Sequence, residues 1–509
     1  MSTRSAAAAD AARPPAAPKP APTGEQGAGE QGGDEEARSR RVQRAEQPLY
    51  ASRVKVYPKA VYGPWRRIKW AVLAFCLAVY YLVPWLRWDR GPGAPDQAVL
   101  IDLPGRRAYF LWIEIWPQEV YFVTGLLILA ALSLFLASAV LGRVWCGYAC
   151  PQTVWTDLFM LVERLIEGDR NQRIRLDRQP WSAGKIARKA AKHAAWLAIA
   201  AATGGAWILY FVDAPTNIGP ILSGEGGAAT YFFVALFTTT TYLLAGWARE
   251  QVCTYMCPWP RFQSAMLDEN SIVVTYRRWR GEPRGKHRQG ASWEGRGDCV
   301  DCMQCVAACP TGIDIRDGQQ LECIGCGLCI DACDDIMRKV GRPPRLIAWD
   351  TLASQSVEAA GGHAPPRLVR PRTLIYAALI AVVGVVMLTA LALRASVEMT
   401  VQRDRSPLWV MLADGRIRNA YTVKLLNKTR DEHVYVLSVD GLADAVVTLS
   451  EGEAAEIVAR GDAVATRRVL VTLPAGAVLP ESTPIVFRAA PRDGGETAHH
   501  DSVFLAPRR

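Results

Sequence analysis

Five uncharged, mostly apolar stretches interrupt a chain that is otherwise polar and basic. Each has roughly the length that an α-helix needs to cross the ~30 Å hydrocarbon core of a bilayer. Trp and Tyr at several of their ends are typical of the membrane–water interface, which disfavours the alternative of buried helices in a large soluble protein. The chain is therefore predicted to be a multi-domain membrane protein. Its five predicted transmembrane helices are residues 70–86, 120–141, 194–212, 228–248 and 374–393.

Lys and Arg are distributed unevenly among the connections between these stretches. Residues 143–193 contain ten of them and residues 213–227 contain none. Because cytoplasmic loops carry the excess of Lys and Arg, the pattern predicts a multi-pass protein of the bacterial cytoplasmic membrane. The N-terminus and residues 249–373 are predicted to be cytoplasmic, and residues 396–509 periplasmic. Retention of basic loops also explains the excess of 59 Lys and Arg over 49 Asp and Glu, so no nucleic-acid partner is expected.

Eight of the 13 cysteines form two runs with the spacing Cys-x2-Cys-x2-Cys-x3-Cys. This spacing is typical of bacterial ferredoxins with two [4Fe–4S] clusters, in which the fourth cysteine of each run binds the other cluster. Zinc knuckles are the alternative, but they commonly use two Cys-x-x-Cys pairs. The predicted ligands are Cys299, Cys302, Cys305 and Cys333 for cluster 1, and Cys323, Cys326, Cys329 and Cys309 for cluster 2.

Four further cysteines lie in two matched Cys-x3-Cys-Pro motifs, which follow the second and the fourth apolar stretch. Each spacing places both thiols on one helix face or around one turn, and the repetition suggests two halves whose four thiols could meet. Soft thiolates favour Cu(I), zinc or an iron–sulfur cluster, and they can also cycle between dithiol and disulfide. These alternatives stay open. The predicted redox-active residues are Cys146, Cys150, Cys253 and Cys257.

The remaining parts of the chain separate by composition. Residues 1–48 are rich in Ala, Pro, Gly and Glu and are predicted to be disordered. Residues 49–272 contain four of the transmembrane helices and both Cys-x3-Cys-Pro motifs. An α+β ferredoxin domain is predicted for residues 273–345, followed by a linker, 346–373, and the fifth helix. Alternating apolar residues and regularly spaced turns in residues 396–509 predict an all-β, immunoglobulin-like sandwich.

At these motifs the sequence resembles the CcoG family of cytochrome c oxidase accessory proteins, also called FixG or RdxA. The resemblance covers about residues 49–509. It implies a membrane-bound iron–sulfur oxidoreductase that assists cbb3-type oxidase assembly by reducing Cu(II) to Cu(I) for the haem–copper site. Cys146, Cys150, Cys253 and Cys257 would then be the copper-handling or terminal redox thiols. The matching stretches are residues 102–107, 116–118, 142–157, 249–263 and 297–334.

The resemblance also implies partners: membrane lipid, a cytoplasmic electron donor, a copper transporter or chaperone, and oxidase assembly factors. Two other functions remain open. One is a quinol-linked membrane ferredoxin subunit that passes electrons to a periplasmic reductase, since such subunits share the paired Cys-x3-Cys-Pro pattern. The other is an assembly scaffold without redox activity. The β domain and the fifth apolar stretch favour the oxidase-assembly family over the quinol-linked subunit. The scaffold predicts that replacing the cluster ligands between Cys299 and Cys333 matters only for folding.

Overall fold

A computed structural model describes residues 55–91, 94–288, 290–450, 453–476 and 479–507. The predicted disordered tail, residues 1–48, lies outside the described residues. Within them, four helical segments are long and apolar enough to cross a membrane, so the predicted count of five is not confirmed. The four segments are Pro64–Trp85, Pro117–Leu141, Ala228–Ala248 and Pro371–Ala392.

The third predicted stretch, residues 194–212, is not among these four segments. It belongs to a longer helix, Ala183–Ile208, whose first half carries Lys185, Lys189 and Lys192. Its second half has more Ala, Gly and Thr than Leu and Ile, which lowers its hydropathy. Such small residues let neighbouring helices approach closely, and this helix packs between two others. Its apolar character is therefore weaker than the absence of charges suggested.

The membrane part is built from two similar halves. In each half a long helix leads to a cysteine motif, and a proline near the second cysteine begins the next helix, as expected for the first helical turn. The second half contains two π-helical segments, Tyr242–Ala248 and Val252–Met256. The helices are α1 (Pro64–Leu82), α2 (Val120–Leu141), α3 (Val144–Tyr148), α4 (Pro151–Glu167), α5 (Arg170–Arg178), α6 (Ala183–Ile208), α7 (Ala214–Ser223), α8 (Ala228–Thr241) and α9 (Trp259–Met266).

A small antiparallel sheet joins α1 to α2. It consists of β1 (Val99–Asp102), β2 (Arg107–Phe110) and β3 (Ile113–Ile115). The end of α6 contacts this sheet, because the amide of Ile101 donates to the carbonyl of Tyr210 at 2.8 Å and Gln97 Nε2 donates to the carbonyl of Leu209 at 2.7 Å. These bonds hold the two halves together on the side opposite the cysteine motifs.

The ferredoxin domain is closed by an antiparallel strand pair, β4 (Val273–Tyr276) with β5 (Ile347–Asp350). The range 346–373, predicted as a linker, therefore begins with a strand of this domain, because the apolar residues of β5 are buried against the cluster-binding segment. The helices of this region are α10 (Arg278–Gly281), α11 (Gln304–Ala308), α12 (Leu328–Lys339) and α13 (Leu352–Ala359); α14 (Pro371–Ala392) follows.

The C-terminal domain is a sandwich of two antiparallel sheets. One sheet has the order β10-β12-β8-β6, with β7 beside β8, and the other has the order β11-β9-β13-β14. Tyr421, Phe487 and Phe504 are fully buried between them, as alternating inward-facing residues of a sandwich should be. The strands are β6 (Val397–Arg403), β7 (Val410–Met411), β8 (Ile417–Asn427), β9 (His433–Asp440), β10 (Val446–Leu449), β11 (Glu456–Ala459), β12 (Ala463–Leu473), β13 (Ser482–Pro491) and β14 (Ala498–Leu505).

Candidate iron–sulfur centre and thiol group

Two adjacent cavities in the ferredoxin domain are lined by the eight cysteines of the two runs. Their sulfur-lined walls correspond to the crossed pairing that the spacing predicts. Cys305 lies between the cavities and contributes to the walls of both. The first cavity is lined by Cys299, Cys302, Cys305 and Cys333. The second cavity is lined by Cys309, Cys323, Cys326 and Cys329.

Left-handed backbone residues bend each run around its cavity. In the first run Asp301 and Met303 have φ of 53° and 57°, and in the second run Gly325 and Gly327 have φ of 64° and 72°. Residues with positive φ turn the chain sharply, and glycine adopts this region without steric cost. The helix that follows each turn, α11 or α12, then carries the last cysteine of the run to the neighbouring cavity.

Burial dominates the electrostatics of the cluster thiols. It raises the pKa of Cys305 to about 11 and that of Cys323 to about 12, and the neighbouring thiols add to the shift of Cys323. The backbone N–H of Gly325 acts against this shift by donating to Cys323. Thiolate ligands are thus costly here unless a positively charged core binds them.

The donor set fits iron–sulfur clusters better than zinc. Each cavity is lined by the four thiols of one crossed set from the two Cys-x2-Cys-x2-Cys-x3-Cys runs, whereas zinc knuckles commonly use two Cys-x-x-Cys pairs. A [4Fe–4S] cluster supplies one-electron transfer when it is bound by four such thiolates.

Arg316 places a positive charge beside the first cavity, a feature that the cysteine spacing did not reveal. Its side chain is only 4% exposed, and Nη1 lies 2.7 Å from Asp301 Oδ1 and 4.0 Å from Cys299 Sγ. Asp314 holds the opposite side of the guanidinium, with 2.9 Å between Nε and Oδ1. Positive charge close to the sulfur atoms favours the reduced state of a cluster.

The four cysteines of the Cys-x3-Cys-Pro motifs come together at the ends of short elements. Cys146 lies in α3, Cys150 caps the N-terminus of α4, Cys253 lies in a π-helical segment and Cys257 follows it. Burial, reinforced by the other thiols, raises the pKa of Cys146 to about 12 and that of Cys253 to about 11. Each thiol of this group thus lies close enough to the others for their charges to interact. We call these four residues the thiol group.

The thiol group packs directly against the second cluster loop. Cys146 and Cys253 contact the apolar cluster formed by Ile324, Cys326 and Leu328. This contact joins the membrane part of the protein to residues 323–329 of the ferredoxin domain. Two thiols of the thiol group are therefore in contact with the loop that carries Cys323, Cys326 and Cys329.

Polar bonds fix this contact from the α3 side. The Tyr148 hydroxyl donates to the carbonyl of Cys326 at 3.1 Å, and Arg143 Nη1 donates to the carbonyl of Cys323 at 2.7 Å. Arg143 Nη1 also donates to the carbonyl of Leu321. Arg143 and Tyr148 both lie within the 142–157 stretch, but a single sequence gives no sign that their side chains reach a loop about 180 residues away.

A buried amide holds the Cys146 thiol. Its Sγ donates to Gln263 Oε1 at 3.1 Å, while Gln263 Nε2 donates to Ser138 Oγ at 3.2 Å. Gln263 has no exposed surface. The thirteenth cysteine, Cys76, lies in α1 at intermediate exposure and is not one of the cysteines that contact the second cluster loop.

Three family models match this chain. A 4Fe-4S dicluster domain matches residues 248–352, a 4Fe-4S binding domain matches residues 123–167, and the IG-like fold at the C-terminus of FixG matches residues 387–507. The first of these includes both cysteine runs, so the iron–sulfur prediction is confirmed at the level of the domain. The second includes Cys146 and Cys150.

Curated relatives match most of the chain. Nitrogen fixation protein FixG of Rhizobium meliloti (strain 1021) is 50% identical over 466 residues, which are 85% of this chain and 89% of the relative. The chain belongs to the FixG/RdxA family. Protein RdxA of Cereibacter sphaeroides is 51% identical over 433 residues, 84% of this chain and 92% of RdxA. Protein RdxB of the same organism is 50% identical over 464 residues, 90% of this chain and 97% of RdxB.

The family assignment agrees with the architecture. This FixG/RdxA protein combines apolar helices, an iron–sulfur dicluster domain and an immunoglobulin-like C-terminal domain. A crystal structure of a FixG-related protein from Vibrio parahaemolyticus, 24% identical, covers 22% of this chain and 96% of its own, with a TM-score of 0.20.

Proposed function

We propose that this protein is a membrane-bound cupric reductase, in which electrons leave the ferredoxin domain through the thiol group. The observation that carries the proposal is the packing of Cys146 and Cys253 against residues 324–328 of the second cluster loop. Electron transfer between redox centres requires close approach, and this contact joins the ferredoxin domain to the thiol group.

Copper is the substrate in this proposal. The thiol group would hold Cu(II), which takes one electron delivered through the 323–329 loop and becomes Cu(I). Soft thiolate ligands stabilise Cu(I) over Cu(II), so binding itself favours the reduction. A separate cytoplasmic donor replaces the electron, and a copper transporter or chaperone removes Cu(I). We propose assembly of a cbb3-type oxidase as the use of this Cu(I), in keeping with the resemblance of the motifs.

We further propose that α6 is the fifth membrane crossing. It begins beside Glu167, where Lys189 Nζ and Lys192 Nζ lie 3.0 Å and 2.9 Å from Oε1, and it ends at the β1–β3 sheet that joins α1 to α2. A helix that connects these two sides runs parallel to the neighbouring crossings. The C-terminal sandwich would then be periplasmic and the ferredoxin domain cytoplasmic.

The test compares thiol variants with a matched cysteine outside the group. Cys146→Ser together with Cys253→Ser should abolish the reduction of Cu(II) by the anaerobically reduced protein while leaving the iron content of the ferredoxin domain unchanged. Cys76→Ser is the control and should retain full reduction, because Cys76 lies in α1. Undiminished reduction by the double variant would refute the role of the thiol group.

A third cluster in the thiol group is the second candidate, which the family comparison specifically favours. The 4Fe-4S binding-domain model matches residues 123–167, where the cysteines are Cys146 and Cys150. Four thiolates are the usual ligand set of a cubane. Iron analysis separates the candidates: about eight irons per chain fit two [4Fe–4S] clusters, whereas about twelve would show that the thiol group holds a third.

A further inference from the structure

A strongly basic cavity lies at the start of α1. It has a volume of about 700 Å³. Its polar walls come from both the membrane part and the ferredoxin domain, since Arg338 belongs to α12. Four arginines and one aspartate line it: Arg66, Arg67, Arg164, Arg338 and Asp169.

Two of these arginines have buried nitrogen atoms without a hydrogen-bond partner among the described residues. Arg66 is 5% exposed; its Nη1 donates to Asp157 at 3.0 and 2.9 Å, but its Nη2 has no partner. The buried Nε of Arg164 also lacks a partner. Leaving such donors unsatisfied costs free energy, which an anion in the cavity would recover.

The nearby carboxylates are already engaged. Asp157 faces both Arg66 and Lys69, with Lys69 Nζ 3.9 Å from Oδ2. Asp169 accepts the backbone N–H of Ala60 at 2.9 Å and caps α5. Burial lowers the pKa of Arg164, and the positive charge of Arg66 adds to this effect, as expected where cations outnumber anions. The cavity therefore has a net positive charge and free donors.

The apolar part of the wall indicates where the anion comes from. Trp70, Leu161 and Leu165 line the same cavity, and Leu165 is 76% exposed. Trp70 lies on α1, whose segment Pro64–Trp85 is long and apolar enough to enter a membrane. Basic pockets between helices at the membrane surface bind lipid headgroups, and an indole is typical of the interface.

We propose that this cavity binds the phosphate group of an anionic phospholipid. The guanidinium groups of Arg66, Arg164 and Arg338 hold the phosphate, and the acyl chains lie beside Trp70 and Leu165. Because Arg338 belongs to α12, the bound lipid also ties the cluster domain to the membrane surface. This proposal does not depend on copper reduction.

The experiment measures lipid binding to the purified full-length protein by native mass spectrometry. Phosphatidylglycerol and phosphatidylcholine with identical acyl chains are compared, and inorganic phosphate is used as a soluble competitor. We expect one phosphatidylglycerol to bind in preference to phosphatidylcholine. Arg164→Gln combined with Arg338→Gln should weaken this binding about tenfold or more. Arg178→Gln, at an exposed arginine outside the cavity, should change it less than about twofold.

Each other outcome counts against the proposal. Equal binding of both lipids, or unchanged binding by the double variant, would overturn it. Displacement of the lipid by an equal concentration of inorganic phosphate would retain a phosphate site but contradict the lipid assignment. Retained iron–sulfur absorbance in the double variant shows that it has folded, and Arg164→Lys, which keeps the charge, should bind more tightly than Arg164→Gln.

Discussion

At the scale of residues, Gly147 determines how closely α3 approaches the second cluster loop. A Cβ atom at this position would lie 2.7 Å from the carbonyl oxygen of Gly325 and 2.9 Å from that of Ile324. Both neighbours are backbone atoms and cannot rotate away. A glycine between Cys146 and Cys150 is therefore a requirement of the contact between the thiol group and the cluster loop.

Gly147→Ala should separate these two groups. We expect a loss of about 1–3 kcal/mol in stability, because overpacking against backbone forces a shift of the main chain. The rate of copper reduction should fall while the iron content stays the same. Gly205→Ala, inside α6 with open space around the new Cβ, is the matched control and should lose no stability, because Ala favours a helix interior over Gly. Equal behaviour of the two variants would show that the close approach is unimportant.

Arg316 provides a second prediction at this scale. Arg316→Gln removes a buried positive charge next to Cys299 and leaves Asp301 and Asp314 without their partner. The reduction potential of one cluster should become more negative by on the order of 60 mV, a tenfold change for one electron. Redox titration followed by EPR measures this shift. Lys339→Gln, which removes an exposed charge on α12, should leave both potentials in place.

At the scale of elements, the cysteine spacing predicted the features that depend on residues close together in the sequence. The two cysteine runs turn at left-handed residues such as Asp301 and Gly325. Because the cysteines of each run are only a few residues apart, the sequence alone predicts that they bind clusters. The strand pair β4–β5 could not be predicted in this way, because its two members are separated by the whole cluster domain. The contact of Arg143 with the loop at Cys323 depends on tertiary packing for the same reason.

A buried ion cluster joins the start of α2 to the C-terminal domain and is expected to contribute to stability. Glu119 is 1% exposed and accepts from Arg394 Nε at 2.7 Å and Lys428 Nζ at 2.6 Å. Glu119→Ala would leave Arg394 without this carboxylate and Lys428 with Glu398 as its remaining partner, which should cost about 1–3 kcal/mol. Thermal unfolding should show a clearly lower midpoint. Asp414→Ala, which breaks an exposed pair with Arg416, should not change it measurably.

At the scale of the whole molecule, the number of crossings decides on which side each domain lies. If α6 crosses the membrane together with the four more apolar segments and the N-terminus is cytoplasmic, the ferredoxin domain is cytoplasmic and the sandwich is periplasmic. If α6 does not cross, both domains change sides, because α14 separates them in either case and one fewer crossing precedes each of them. The small residues of α6 made its membrane crossing hard to predict from the sequence. The crossing of α2, in contrast, was predicted from its high Leu content.

Cysteine labelling in intact spheroplasts measures this arrangement. Ser450→Cys in the sandwich should react with a membrane-impermeant maleimide, and Ser292→Cys in the ferredoxin domain should react only after the membrane is disrupted. Both serines are exposed in the folded protein, so accessibility reports sidedness. The reverse pattern, with Ser292→Cys labelled in spheroplasts and Ser450→Cys labelled only after disruption, would contradict five crossings.

The most direct measurement of the central claim is a single turnover of the reduced protein with Cu(II) in the absence of oxygen. Cluster absorbance and Cu(I) formation are followed together after rapid mixing. If electrons pass from the ferredoxin domain through the thiol group to copper, both signals should change at the same rate, and two clusters should yield about two Cu(I) per chain. Clusters that remain reduced in the presence of thiol-bound Cu(II) would contradict the account.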